Sequence, residues 1–372
     1  MIDSVPAPDM ALEERNMATA RQPLEGRVVW KGKDLESSGA WLRRLSADHV
    51  ATIDAALRKV DKAGLQTLAI KREDFPLPGM DAFFADVKEE LENGLGAVRV
   101  TGLPVAGRSV KDLRRIFWGI GTHMGVTVHQ NARGEIIGEV RDESGDPAPT
   151  YVAPSAGKVK SSRARARSNG PLRFHTDRAD IIALLCAQNS MAGGISKLVS
   201  VATIHNEMLK RAPALLEELF QDFYRSRPED EDGLHDKKWF KLPVMGVCEG
   251  KLTVQYSRTY VEQAQEFDDV PRNTPAQIAA MDLLAELAEE NCMHAPFVEG
   301  DMQFLNNHVI FHGRTAYEDD PAQGKSRRLL RLWFSMANSR RLPKGFEEFW
   351  GSVEPGALRG GVQVQQVQAA AE

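Results

Sequence analysis

Three short stretches of the chain hold residues whose types and spacing could do chemistry. The first is Leu172-Arg173-Phe174-His175-Thr176-Asp177. In an extended segment residues i and i+2 project from one face, so His175 and Asp177 could both reach one metal ion. The second is Asn306-Asn307-His308-Val309-Ile310-Phe311-His312-Gly313-Arg314, where Val, Ile and Phe mark a strand and His308 and His312 share a parity. A histidine from this stretch would complete two imidazoles and one carboxylate on one face of a divalent ion. The other face would stay open, as in non-haem Fe(II) oxygenases. The third stretch is Lys325-Ser326-Arg327-Arg328-Leu329-Leu330-Arg331-Leu332-Trp333. Arg327 and Arg331 also share a parity, and an inward guanidinium calls for a carboxylate or phosphate partner. Taken alone, these arginines read as surface residues flanking an apolar strand. His49, His205, His235 and His294 sit in helical or loop contexts with no acidic or histidine neighbour at a useful spacing.

The elements that must position these groups are legible in part. With 372 residues, 42% hydrophobic and 27% charged, the composition is that of a globular protein. The longest apolar run, Ile181–Ala187, is far short of the roughly 18 residues of a membrane span. Met1 to Glu14 lacks a basic stretch followed by an apolar one, which argues against a secretory signal. Cys186, Cys248 and Cys292 lie far apart, which argues for a reducing compartment, by default the cytoplasm, and against a disulfide framework or a cysteine-bound zinc. A net charge of −5 provides no global basic field, so neither nucleic acid nor membrane is expected as a partner, while a homo-oligomer stays open. Helical spacing marks 47–60, 80–95, 109–120 with Ser109 as cap, and 203–220. Thr274, Pro275 and Gln277 form a capping-box start for a helix ending near Asn291. Strands are expected at 96–102, 242–248 and 251–256 joined by a Glu249-Gly250 turn, 302–311 and 328–335, with short β pieces over 126–141 and 181–200. No βαβ rhythm is present. The fold expected is mainly β with α decoration (α+β), a jelly-roll core with helices packed outside. Residues 1–25 and 355–372 read as flexible tails on a single domain spanning 26–354.

Together the three stretches resemble the taurine dioxygenase-like family of Fe(II)/2-oxoglutarate-dependent dioxygenases. The likeness runs from about Phe75 to Phe349: His-x-Asp, then Gly193-Gly194-Ile195-Ser196, then His312 with its Gly-Arg, then Arg327 and Arg331 followed by Leu-Trp. Gly94–Pro104 and Gln130-Asn131-Ala132-Arg133-Gly134 also match the family's pattern. The resemblance implies that His175, Asp177 and His312 bind Fe(II), that Arg327 holds the distal carboxylate of 2-oxoglutarate with help from Ser196, and that Arg331 lies deeper, near the substrate or the other end of the cosubstrate. His308 stands where relatives often have Arg. It reads as a supporting or core residue, because only His312 carries the Gly-Arg that follows the family's iron histidine. Ser196 replaces the more usual Thr and keeps the hydroxyl.

The implied reaction consumes O2 and 2-oxoglutarate, releases succinate and CO2, and hydroxylates an unactivated C–H bond of a small substrate. Desaturation and oxidative ring closure use the same oxidant, and a non-catalytic small-molecule-binding jelly roll is the rival of another class. Arg331 suggests an anionic substrate bearing a carboxylate, an amino acid or natural-product intermediate. His129, Gln130 and Asn131 are candidate substrate contacts, with turn formation as their alternative. Residues 143–170 lack an apolar period and carry Lys158, Lys160, Arg163, Arg165 and Arg167. They are expected to form a mobile basic loop, which either closes over the site or stays a solvated loop or a contact to a partner chain.

Overall fold

Helix starts follow local chemistry. In the computed structural model, which describes residues 18, 20–146, 162–228, 231 and 234–364, Ser46, Ser109 and Thr274 are each N-caps in a reciprocal capping box with the residue three positions on. The helices Ala47–Lys62, Val110–Met124 and Pro275–Asn291 begin at those signals, and Asp81–Asn93 occupies the remaining expected region. The helix expected over 203–220 is two helices, Val201–Arg211 and Pro213–Glu218. Pro213 drives its predecessor out of the helical region, and Ala212 stands at φ −155 and ψ 70.

Two sheets carry the structure. The larger runs Leu42–Arg44, Ala97–Thr101, Met302–Asn306, Ile181–Gln188, Arg328–Ser335, Val126–Thr127, with Gly138–Val140 also paired to Arg328–Ser335. The smaller is antiparallel: Met293–Ala295, Ser196–Ser200, Ile310–Arg314, Leu172–His175. Period-2 alternation sorts their side chains into layers. Ala183, Leu185, Leu330, Leu332 and Phe334 pack outward with the helices Ala47–Lys62, Asp81–Asn93 and Val110–Met124. Ile182, Leu184, Leu329 and Trp333 face the opposite way and meet Leu198 and Ile310 of the smaller sheet. Val199 and Phe311, on that sheet's far side, pack with the helices Val201–Arg211 and Pro275–Asn291. Among the described residues no helix is long and apolar enough to cross a membrane, and all three cysteines are buried and unpaired.

One strand expectation fails here. The strand expected over 302–311 divides into Met302–Asn306 in the larger sheet and Ile310–Arg314 in the smaller. Asn306 Oδ1 accepts from the His308 amide, and Asn307 Nδ2 donates to Ala179 O, so short amide side chains hold the crossing turn. The Glu249-Gly250 hairpin does form, with both residues at positive φ (51 and 75).

The described parts of both expected tails, residues 20–25 and 355–364, are also anchored. Leu24 exchanges two hydrogen bonds with the Asn206 amide, and Ala20 is buried with its carbonyl 2.8 Å from His205 Nε2. After Gly356 the chain re-enters the protein: Arg359 Nε donates to Asp180 Oδ1 at 2.8 Å, and Val362 joins the layer between the sheets. Composition hid this, because a Gly-rich segment can dock by its backbone and one arginine.

Asp180 Oδ1 also accepts from His308 Nε2 at 2.8 Å, and Oδ2 from the Met336 amide at 2.9 Å. The Asp180, His308 and Arg359 side chains are at most 1% exposed. Removing one partner of a buried ion pair costs about 3–5 kcal/mol, so Arg359→Met should lower the free energy of urea unfolding by that amount; a loss below about 1 kcal/mol would remove Arg359 from the core network. Burial holds His308 below the ordinary histidine range. Burial pushes Asp180 up, but His308, Arg359 and the Met336 amide outweigh it and hold Asp180 below its usual range. Both folded values therefore lie below the unfolded ones, so both contributions are present above those unfolded values and are lost on acidification. Stability should fall as pH drops below about 6.5 and again below about 4, with a shallower upper decline in His308→Gln; an equally steep decline in that variant would contradict the assignment.

Candidate functional site

His175 ends its strand directly opposite His312 in the antiparallel register, and their rings lie 4.3 Å apart, centroid to centroid. Asp177 follows two residues later, its amide donating to Asn307 Oδ1 at 3.0 Å. His175 Nε2 is 3.9 Å from Asp177 Oδ1, and His312 Nε2 is 3.7 Å from Asp177 Oδ2. One donor atom from each of the three residues lies within 4.8 Å of the other two. Two donors bound to one ion at about 2.1 Å lie at most about 4.2 Å apart; both His–Asp distances meet that limit, and a closure of a few tenths of an ångström brings all three donors onto one divalent metal. His175 Nδ1 is 2.9 Å from Arg173 O, which leaves Nε2 as the lone-pair nitrogen.

Electrostatics prepare the donors. Burial, reinforced by His175, pulls the His312 pKa down to about 3, so its imidazole is neutral at physiological pH. Burial pushes the Asp177 carboxyl up, but Arg331, the two histidines and a hydrogen bond from Trp333 Nε1 at 3.1 Å hold it below the usual range. A neutral imidazole and a carboxylate are the forms metals bind.

Two cavities meet at these residues, since both are lined by His175 and Asp177. The smaller, about 470 Å³ counting its open mouth, is lined by Ser196, His312, Arg314 and Arg327. Arg327 is buried, with Nη1 making no hydrogen bond, and its guanidinium lies 5.2 Å from the Tyr317 ring centre. Gly194, at φ +67, lets it in: a Cβ there would stand 3.0 Å from Arg327 Nε. Arg314 faces the same ring at 4.7 Å, and its Nη2 donates to Ser168 O and Gly170 O. Sequence reasoning gave Arg314 no role of its own, although its parity with His312 already placed it on the inward face.

The larger cavity, about 950 Å³ counting its mouth, is lined by Gln130, Asn131, Arg331 and Trp333 among others. Arg331 lies on the inward parity with Arg327, as expected. Its Nε donates to Gln130 Oε1 at 2.6 Å, and its Nη1 is 4.0 Å from Asp177 Oδ2. Gln130 Nε2 in turn donates to Ile136 O and Arg331 O, so this residue positions Arg331. Asn131 lines the cavity but spends its amide on a turn, accepting from the Arg133 and Glu135 amides and donating to Glu135 Oε2. His129 is not among the lining residues; its carbonyl accepts from the Val362 amide. The neighbouring C-terminal segment, read as a tail, is what claims it.

Of the expected basic loop, Lys158, Lys160 and the Arg163 side chain lie outside the described residues. Arg167 is not a solvated loop cation: it is buried, 2.7 Å from Glu143 Oε1 and 2.9 Å from Glu135 Oε2. His308 belongs to the Asp180 network, its Nδ1 2.7 Å from Thr253 Oγ1, and is not within the three-residue donor group.

Comparison with known proteins gives a consistent outcome. The family model of the taurine catabolism dioxygenase TauD, TfdA family matches residues 61–333. FR-33289 synthase of Streptomyces rubellomurinus is 28% identical over 338 residues, 89% of this chain and 96% of that protein. Taurine hydroxylase-like protein SAT17 of Stachybotrys chartarum is 27% identical over 323 residues, covering 83% and 79%. Among solved structures, an asparagine oxygenase with Fe(II), hydroxyasparagine and succinate superposes with TM-score 0.59 at 13% identity, covering 79% of this chain and 93% of that one. The non-haem iron oxygenase OrfP with hydroxyarginine gives 0.58 at 13% identity, covering 85% and 99%. With the family matched over most of its length and a two-histidine, one-carboxylate group between facing sheets, the chain belongs to the TauD/TfdA family and is a non-haem iron dioxygenase that uses Fe(II), 2-oxoglutarate and O2.

Proposed function

We propose that His175, Asp177 and His312 hold the Fe(II), that Arg327 and Ser196 hold the distal carboxylate of 2-oxoglutarate in the smaller cavity, and that a small carboxylate-bearing substrate is hydroxylated in the larger one. The donor group at the junction of two cavities carries this reading. Iron and 2-oxoglutarate supply the oxidation: one oxygen atom enters the substrate C–H bond as hydroxyl, the other enters succinate, and CO2 leaves. The chain's own residues do the rest. The Arg173 carbonyl fixes the tautomer of His175, and Trp333 orients the Asp177 carboxylate. Gln130 keeps the Arg331 guanidinium beside that carboxylate, so its charge stays matched. A buried Arg327 with an unsatisfied nitrogen is ready for an acid group, and a dry pocket strengthens that interaction.

Hydroxylation is supported by the solved neighbours, which are in complex with hydroxyasparagine and, in a mutant of OrfP, hydroxyarginine, and by the name of the Stachybotrys relative. The two facing antiparallel sheets support a jelly-roll reading, with the packed ends making one dioxygenase domain. Three unpaired cysteines support a cytoplasmic setting.

Anaerobic titration should find one Fe(II) per chain. His175→Ala, Asp177→Ala and His312→Ala should each abolish most of that binding with the circular dichroism unchanged; retained affinity in His312→Ala would remove it from the set. Hydrogen bonds to charged groups are worth about 1.5–3 kcal/mol, so Arg327→Ala should raise the KM for 2-oxoglutarate about tenfold to a hundredfold. Lys at this position should restore only part, being a point charge without the planar fork. An unchanged KM would exclude Arg327 from the cosubstrate site.

A further inference from the structure

One guanidinium in the wall of the larger cavity has no role in anything described above. Arg225 lies on the strand Asp222–Ser226, which pairs with Trp239–Pro243 in a hairpin belonging to neither of the two facing sheets. It is 1% exposed. Its Nη2 donates to Pro243 O at 2.9 Å, whereas Nε and Nη1 make no hydrogen bond, and no carboxylate among the described residues forms an ion pair with it. Burial pulls its pKa down to about 9, so it is still cationic at neutral pH. The other arginines of this cavity are matched by the protein. Arg331 has Gln130 and Asp177, Arg167 has Glu135 and Glu143, and Arg178 has Glu231 at 3.2 Å. A second orphan lies close by. Gln255 is buried in the same wall, its Oε1 makes no hydrogen bond, and its amide donates to Val244 O, the residue after Arg225's own acceptor.

A cation held dry and unmatched in a protein interior is costly unless an anion arrives to match it. We propose that Arg225 is a specificity-determining residue of the substrate site, receiving an acid group of the substrate, with Gln255 Oε1 accepting from an N–H or O–H donor beside that group. The guanidinium recognises carboxylates and tetrahedral oxyanions alike, through charge-assisted hydrogen bonds from a planar set of donors. Arg331, positioned by Gln130 next to Asp177, tends the metal end, and Arg225 reads the substrate from a separate wall. This inference rests on the proposed function, because it takes the larger cavity as the substrate site.

The test uses the full chain loaded with Mn(II) and saturating 2-oxoglutarate, so that the Arg327 site is filled. Inorganic phosphate and 13C-labelled acetate are the probes, titrated while the paramagnetic broadening of their 31P and 13C signals is followed. Saturable broadening by at least one probe is expected, and the tighter one identifies the acid class. Arg225→Met should weaken that binding at least about tenfold, with 2-oxoglutarate affinity by calorimetry unchanged. A merely structural arginine would alter thermal stability and leave the probe affinity alone. Should Arg225→Met not fold, Arg225→Lys serves, with a loss of about threefold or more. Equal probe affinity in wild type and variant, or no saturable binding of either probe, overturns the proposal. Loss of 2-oxoglutarate binding in the wild type would instead count against the proposed function.

Discussion

The carboxylate of Asp180 is the constraint on which the site depends. It stands three residues after Asp177 and is bonded to His308, four residues before His312. It also binds the Met336 amide at the end of the strand that carries Arg331 and Trp333, and Arg359 of the C-terminal segment. Leaving such a group unmatched in the interior would cost several kcal/mol, so every one of these segments must be in place before the core can close. One ion-pair network thus fixes the spacing between the two halves of the donor set. The metal residues need only short side chains on rigid backbone to come within reach of one another.

Much of this was readable because two local signals are strong. Period 2 put His175 with Asp177 and Arg327 with Arg331, and both pairs fall on the inward face. Cap chemistry located two helix starts, since Ser109 and Thr274 satisfy orphan amides locally and need no tertiary context. What escaped depends on partners distant in sequence. Arg359 is 179 residues from Asp180, and nothing in a stretch of Gly, Gln and Ala announces that its single arginine is fully buried. His129 looked like a ligand contact beside Gln130 and Asn131, yet its backbone is held by Val362. The strand over 302–311 read as continuous because Leu305 and Val309 are apolar. The break is dictated by the Asn306 and Asn307 side chains bonding across the turn.

The arginines show how one residue type is sorted by its surroundings. Arg359 and Arg167 have carboxylates within 3 Å and are structural. Arg331 has a neutral amide at 2.6 Å and a carboxylate at 4.0 Å, a weaker match that leaves it oriented at the metal end. Arg327 and Arg225 are buried with nitrogens that nothing in the protein satisfies. Desolvation makes the last class costly in the free protein, and binding an anion offsets that cost. Both cavities that converge on His175 and Asp177 contain such a group, Arg225 in the larger and Arg327 in the smaller, where Arg314 also keeps Nε and Nη1 unbonded.

The strand Arg328–Ser335 explains why both ends of this arrangement stay in register. Its outward residues Leu330, Leu332 and Phe334 are locked against the helices, while Trp333 and Arg331 serve the carboxylate and the larger cavity from the other face. A slip of one residue would exchange the two sets and bury the charge among aliphatic side chains, which the outer packing forbids. Arg327 lies just beyond this regular run, where the pairing with Ile181–Gln188 shifts: Arg328 faces Gln188 but Leu329 faces Cys186. Arg327 and Arg331 both line the smaller cavity, and Arg331 reaches the larger one as well, so one stretch of chain serves both cavities.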